Sequence, residues 1–148
     1  MHFSDAIDIA APPNRIWQVF SDVDRWHEWA PTFNSIRRLG GKPFAVGMRA
    51  LIRQPGLPPA LWKVTAIEPG VGFTWVSSAP GVRVVASHRI EAIVGGSRAT
   101  MAVELQGLFG GALAWLTKDL TVRYLALETA GLKQRSEDPG YTHGGLLA

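Results

Sequence analysis

Residues 110–135, GGALAWLTKDLTVRYLALETAGLKQR, decide the fold. Leu113, Leu116, Leu120, Tyr124 and Leu127 recur at intervals of three and four and form one helical stripe. Trp115, Val122, Leu125 and Leu132 widen that stripe well beyond a narrow seam. Lys133 and Arg135 stand in the last turn, where positive charge is favourable against the helix dipole. A long helix that is apolar around much of its circumference must be surrounded by something.

The preceding sequence supplies the surround. Gly40-Gly41, Gly47, Pro55-Gly56, Pro58-Pro59, Pro69-Gly70, Pro80-Gly81 and Gly95-Gly96 separate short apolar runs at hairpin spacing. This punctuation predicts strands near 33–39, 47–54, 60–68, 72–79, 82–93 and 97–106. Connections so short leave no room for crossovers, so most neighbours must be antiparallel. At the start, Phe3, Ile7 and Ile9 alternate against Ser4 and Asp8, which predicts one more strand. Pro12-Pro13 can open a helix carrying Ile16, Trp17, Val19 and Phe20, because the first-turn N–H has no helical partner to lose. Ser21 and Asp22 are candidate caps for a second short helix carrying Trp26 and Trp29, ended by Pro31. The expected architecture is α+β, in the order β-α-α-β6-α. A curved seven-stranded antiparallel sheet surrounds the long C-terminal helix, and the two short helices close one end. Residues 1–137 are expected to form one domain, with the polar, Gly-rich stretch 138–148 as a flexible tail.

Composition narrows the chemistry. At 148 residues with 47% apolar content, a single domain can bury a real core. The absence of cysteine removes disulfides, thiolate nucleophiles and sulfur-ligated zinc. The net charge of +3 is spread evenly: residues 1–74 carry eight basic and six acidic groups, residues 75–148 seven and six. A nucleic-acid binder would concentrate positive charge on one element, so none is expected as a partner. No apolar run approaches the ~18–20 residues of a membrane span, and MHFSDAIDI lacks a signal-peptide core, so the expectation is a cytoplasmic protein without membrane insertion. Histidines 2, 27, 88 and 143 are scattered without metal-ligand spacing. Asp22, Asp24, His27 and Glu28 are better read as caps and a solvated face. No metal or cofactor is therefore expected. Neither GxSxG nor GxGxxG is present, and Arg37, Arg38, Arg49 and Arg53 read as an outer, solvated sheet face.

Three stretches carry a family resemblance: IAAPPNRIWQVFSDVDRWHEWAPTFNSIRRL (9–39), LWKVTAIEPGVGFTWVSSAPGVRVVASHRIEAI (61–93) and LTVRYLALETAGLKQRSE (120–137). Together with the order of elements they resemble the helix-grip fold of the SRPBCC (START/Bet v 1-like) superfamily, and within it the polyketide cyclase/dehydrase-like proteins. The resemblance covers about residues 3–137. It implies an internal cavity between the sheet and the long helix. That superfamily includes hydrophobic-ligand carriers and aromatase/cyclases, and a shared fold does not choose between them.

Within such a fold, alternation assigns the inward side chains. Arg49 and Arg53 outward leave Ile52 inward, and Lys63 and Thr65 outward leave Trp62 and Val64 inward. Phe73 and Trp75 form the apolar face of the next strand. Val84, Ala86 and His88 follow opposite Arg83 and Arg89, then Met101 opposite Glu104. The resemblance places Trp26, Trp29 and Phe33 at a helical rim, with Leu116, Leu120 and Tyr124 on the helix facing a ligand. Gln54-Pro55-Gly56-Leu57-Pro58-Pro59 is either a second rim or an ordinary stiff hairpin connection. Trp62 and Trp75 suit stacking on a flat ligand, or simple core filling.

Asp5 and His88 break apolar faces. Asp5 lies near a terminus and can reach water. His88 can hydrogen-bond a ligand carbonyl or phenol and move a proton, or it can be a core histidine satisfied by Tyr124 or the backbone. Two functions follow. One is a binder of a small hydrophobic molecule, aromatic, polyketide-like or lipid-like. The other is a cyclase/aromatase/dehydratase-like enzyme with His88 as acid/base and Tyr124 donating to an oxyanion. A third reading, a structural or stress-associated interaction domain with a closed core, would show no pocket at all. Monomer and homodimer are equally compatible with the sequence.

Overall fold

The computed structural model describes residues 1–41 and 43–141. Strands β1 (His2–Ile9), β2 (Ser35–Arg38), β3 (Arg49–Arg53), β4 (Ala60–Glu68), β5 (Gly72–Ala79), β6 (Val82–Ile93) and β7 (Gly96–Gln106) form one antiparallel sheet. Its order is β1-β7-β6-β5-β4-β3-β2. From β2 onward each strand pairs with the next, as short Gly/Pro connections require. β1 instead joins the last strand, with His2 opposite Glu104 and Ile9 opposite Ser97. In β4 the register shifts between Val64 and Ala66, so Ile67 comes opposite Phe73 and packs on the core.

Helix α1 (Pro13–Ser21) buries Ile16, Val19 and Phe20. The second short helix is a 3₁₀ turn, Val23–Glu28, and neither expected side-chain cap forms. Ser21 Oγ donates back to the Trp17 carbonyl at 2.8 Å, and the Asp22 carboxylate accepts from the Tyr141 hydroxyl at 3.2 Å. Trp26 supplies the ordering contact. It is 1% exposed, and its Nε1–H points at the carbonyls of Val19 (3.2 Å) and Phe20 (3.1 Å). These are last-turn carbonyls that the helix itself cannot satisfy.

The long helix is α2 (Gly110–Glu137), packed on β1 and β7. Its buried residues are Gly110, Ala114, Tyr124, Leu125, Thr129, Gly131, Leu132 and Ser136. This corrects the expected stripe: Leu113, Leu116 and Leu127 are 36%, 72% and 40% exposed, and Trp115 and Val122 also face out. Because apolar residues stand on both sides of α2, hydrophobicity alone could not orient it. Close approach did. A Cβ at Gly131 would lie 2.0 Å from the Trp29 carbonyl oxygen, so only glycine lets the helix touch the 3₁₀ segment. Asp5 is half-buried and accepts a 2.6 Å hydrogen bond from Thr129 Oγ1.

Arg15 reaches across to residues 138–141. The Arg15 guanidinium donates to the carbonyls of Ser136, Asp138 and Tyr141 at 3.2, 2.6 and 2.8 Å, closing the C-terminal end of α2. Tyr141 is 6% exposed among Arg15, Arg25 and Arg135. The rest of the expected tail, 142–148, lies outside the described residues. Among the described residues no helix is long and apolar enough to cross a membrane.

Gly131→Ala should overpack this contact and cost about 1–3 kcal/mol. Thermal melting checks it, and an unchanged melting temperature would show that Trp29 yields freely.

Candidate functional site

Sheet and α2 do not close on each other completely. Between them lies a cavity of about 390 Å³, within the roughly 300–1,000 Å³ common for small-molecule sites. The sheet wall carries Ile52, Trp62, Trp75, Val84, Ala86, His88 and Met101. The helix wall carries Leu113, Thr117, Thr121, Tyr124, Leu125 and Glu128. Trp26 and Phe33 close one end. At the other, Pro58, Pro59, Ala79 and Leu113 belong to the wall and are exposed, so the cavity opens there. The short hydroxyl side chains of Thr117 and Thr121 leave the space that longer ones would fill.

Four residues expected to line the site lie elsewhere. Leu116 is 72% exposed on the outer side of α2. Leu120 lies beside Gly56 and packs outside the cavity, against the 54–59 loop. Trp29 and Phe73 are buried behind the wall, Trp29 against Trp26 and Phe73 beneath His88. The 54–59 loop contributes Gln54, Leu57, Pro58 and Pro59 to the mouth. Its anchor is Tyr124, whose hydroxyl donates to the Pro55 carbonyl. The Tyr124 hydroxyl thus meets the loop, and among the described residues no hydrogen bond joins it to His88.

His88 is 5% exposed and lies flat on Phe73, ring centroids 4.2 Å apart and planes within 8°. Its Nδ1 is 3.3 Å from the Phe73 carbonyl oxygen. A carbonyl can only accept, so Nδ1 carries the proton and Nε2 is left as a lone-pair acceptor. Among the described residues His88 has no other hydrogen-bond partner. Burial holds its pKa down at about 4, partly opposed by the Phe73 carbonyl, so the ring is neutral near pH 7.

Glu128 went unnoticed in the sequence because one acid on a long helix carries no signal. It is half-buried on the cavity wall, and it accepts a 2.9 Å hydrogen bond from Thr32 Oγ1. Burial pushes its pKa up to about 7, against the opposing pull of Thr32. The cavity therefore offers apolar and aromatic walls, the hydroxyls of Thr117 and Thr121, the neutral acceptor of His88, and the Glu128 carboxyl poised to hold or release a proton. Among the described residues no cluster of histidine and carboxylate side chains could hold a metal.

A family model described as "Polyketide cyclase / dehydrase and lipid transport" matches residues 1–137. Uncharacterised proteins of Mycobacterium bovis and Mycobacterium tuberculosis are 25% identical over 111 residues, 71% of this chain and 66% of theirs. The matched segment thus spans just under two thirds of those relatives. Among solved structures, hypothetical protein jhp0584 from Helicobacter pylori superposes with a TM-score of 0.79 at 15% identity, covering 93% of this chain and 88% of that one. TTHA0849 from Thermus thermophilus gives 0.75 at 15% identity, over 92% and 97% of the two chains. Ara h 8.0201 gives 0.61 at 19% identity, over 89% and 97%. These likenesses establish the fold.

The two buried groups set opposing pH dependences. His88 titrates lower in the fold than in the unfolded chain, so its contribution is full above about 6.5 and is lost as pH falls toward about 4. Glu128 titrates higher, so its contribution is full below about 4.5 and is lost as pH rises through about 7. Between those limits the slopes offset each other. Glu128→Gln should unmask the histidine, and stability from denaturant melts should then fall steadily as pH is lowered through this window. A variant as flat as the parent would refute the assignment.

Proposed function

The chain belongs to the polyketide cyclase/dehydrase and lipid transport family, and from that premise we propose that it encloses one small, largely apolar molecule with a polar head. The supporting observation is the cavity itself: apolar walls, an exposed mouth at 54–59, and two strongly shifted titratable side chains, His88 and Glu128. A ligand hydroxyl or phenol donates to His88 Nε2, and a carbonyl or second hydroxyl meets Glu128. Trp62 and Trp75, with ring centroids 5.7 Å apart, give a flat or branched apolar body its contact surface. An aromatic polyketide-like or lipid-like molecule satisfies these demands.

Catalysis by proton transfer is the second reading, and Glu128 is the observation that favours it. A general acid or base works best with a pKa near the operating pH, which Glu128 meets and His88 does not. In this reading Glu128 shuttles the proton of an enolisable ligand, while His88 accepts a hydrogen bond and fixes the ligand's orientation.

Native mass spectrometry of freshly purified protein should show a bound mass that leaves on denaturation. Titration with fatty acids and hydroxylated aromatic acids should quench tryptophan fluorescence. Ala86→Leu, which fills the cavity from the sheet side, should abolish quenching without loss of fold. His88→Phe should weaken hydroxylated ligands about five- to tenfold and leave purely apolar ones unchanged. No quenching by any class would refute a ligand site. Turnover that Glu128→Gln abolishes while binding persists would establish the second reading.

A further inference from the structure

The charge on the cavity wall is of one sign. Among the described residues no lysine or arginine belongs to that wall, and Glu128 is its one acid. Glu128 stands at the closed end. It accepts from Thr32 Oγ1 at 2.9 Å, and Phe33, the next residue, closes that end with Trp26. Along α2 it lies beyond Leu113, Thr117, Thr121 and Tyr124, on the part of the helix wall farthest from the mouth.

Hydrogen-bonding capacity at this end is lopsided. His88 Nε2 is a lone-pair acceptor, and the Glu128 carboxylate has lone pairs beyond the one that Thr32 uses. The donors near them point elsewhere. Trp26 Nε1–H is directed at the carbonyls of Val19 and Phe20, Thr32 donates to Glu128 itself, and Tyr124 donates to the Pro55 carbonyl. Farther toward the mouth, Thr117 donates to the Leu113 carbonyl. Ser87 and Thr121 add hydroxyls to the wall, but neither carries charge.

The rings favour the same kind of guest. Trp26 has Trp75, His88 and Phe33 at centroid distances of 5.2, 5.4 and 5.6 Å. Aromatic faces attract a cation. A carboxylate head brings only acceptors and a negative charge, and would lie near Glu128 with no cation to offset either group. An ammonium head brings N–H donors and the positive charge that the wall lacks. Burial that disfavours the Glu128 carboxylate on its own is then compensated by the guest.

Within the ligand reading above, on which this inference rests, we propose that the enclosed molecule is an apolar amine bound in its protonated form. Its ammonium donates to the Glu128 carboxylate, and a further N–H or hydroxyl donates to His88 Nε2. Its apolar body lies along Trp62 and Trp75. Glu128 sets the class of ligand, and an acid of the same shape is held by its apolar body alone.

Isothermal titration calorimetry on the full chain tests this with two matched sets of probes. One is decylamine, decanol and decanoate; the other is biphenylmethylamine, biphenylmethanol and biphenylcarboxylate. Above a pH of about 7, where Glu128 is ionised, each amine should bind about tenfold or more tighter than its alcohol and its acid. Glu128→Gln, whose amide oxygen still accepts from Thr32, should bring amine and alcohol to within about twofold of each other. Ala86→Leu, which fills the cavity, should abolish binding of both amines. The comparison in the parent chain needs no variant, so a variant that fails to fold leaves it decisive. Equal binding of amine and alcohol, or an acid that binds tightest, overturns the proposal and leaves the ligand site standing. An amine preference that survives Glu128→Gln or Ala86→Leu overturns it too, because the ammonium would then sit elsewhere. No binding by any of the probes refutes the ligand reading and this inference with it.

Discussion

The fold turns on the burial of one indole. Trp26 meets the rings of Phe20, Trp29, Phe33, Phe73, Trp75 and His88 at centroid distances of 5.2 to 6.4 Å. Its N–H takes up the last-turn carbonyls of α1. One side chain thus joins the short helices to the sheet, and it also forms the closed end of the cavity. Such a ring brings a large apolar area and one obligatory hydrogen bond, which together fix its position and orientation. The 3₁₀ turn that carries it is held from the other side by contact between Trp29 and Gly131.

The cavity is a consequence of what lies opposite. On the sheet, Trp62, Trp75 and Met101 are long, while α2 answers with Thr117 and Thr121. Packing that would have closed a core is left incomplete along this strip. Toward the C-terminal end of α2, Gly131, Leu132 and Ser136 bring helix and neighbours into full contact. One helix therefore serves as core at one end and as cavity wall at the other. His88 and Glu128 differ because their partners differ: His88 has a backbone carbonyl that fixes its tautomer, whereas Glu128 has a single hydroxyl that only partly offsets its burial.

Much of the site was legible in the strands. Outward Arg and Lys residues fixed the inward phase, so Ile52, Trp62, Trp75, Val84, Ala86, His88 and Met101 were named from alternation and stand on the wall. On α2 the same reasoning failed for Leu116 and Leu120. Leucines occur on both of its sides, and the inward row is built of small and hydroxylated residues that a search for apolar spacing passes over. Glu128 was invisible for a related reason: its meaning depends on Thr32, 96 residues away in the chain.

By itself the sequence determined the number, order and direction of the elements, because period-two and helical spacing and Gly/Pro punctuation are local properties. It also determined the inward faces of the strands. Tertiary structure alone decided which side of α2 turns inward, that Tyr124 holds the 54–59 loop, and that His88 and Glu128 share a cavity. These depend on contacts between residues far apart in the chain, such as Thr32 with Glu128 and Trp29 with Gly131, which no local pattern encodes.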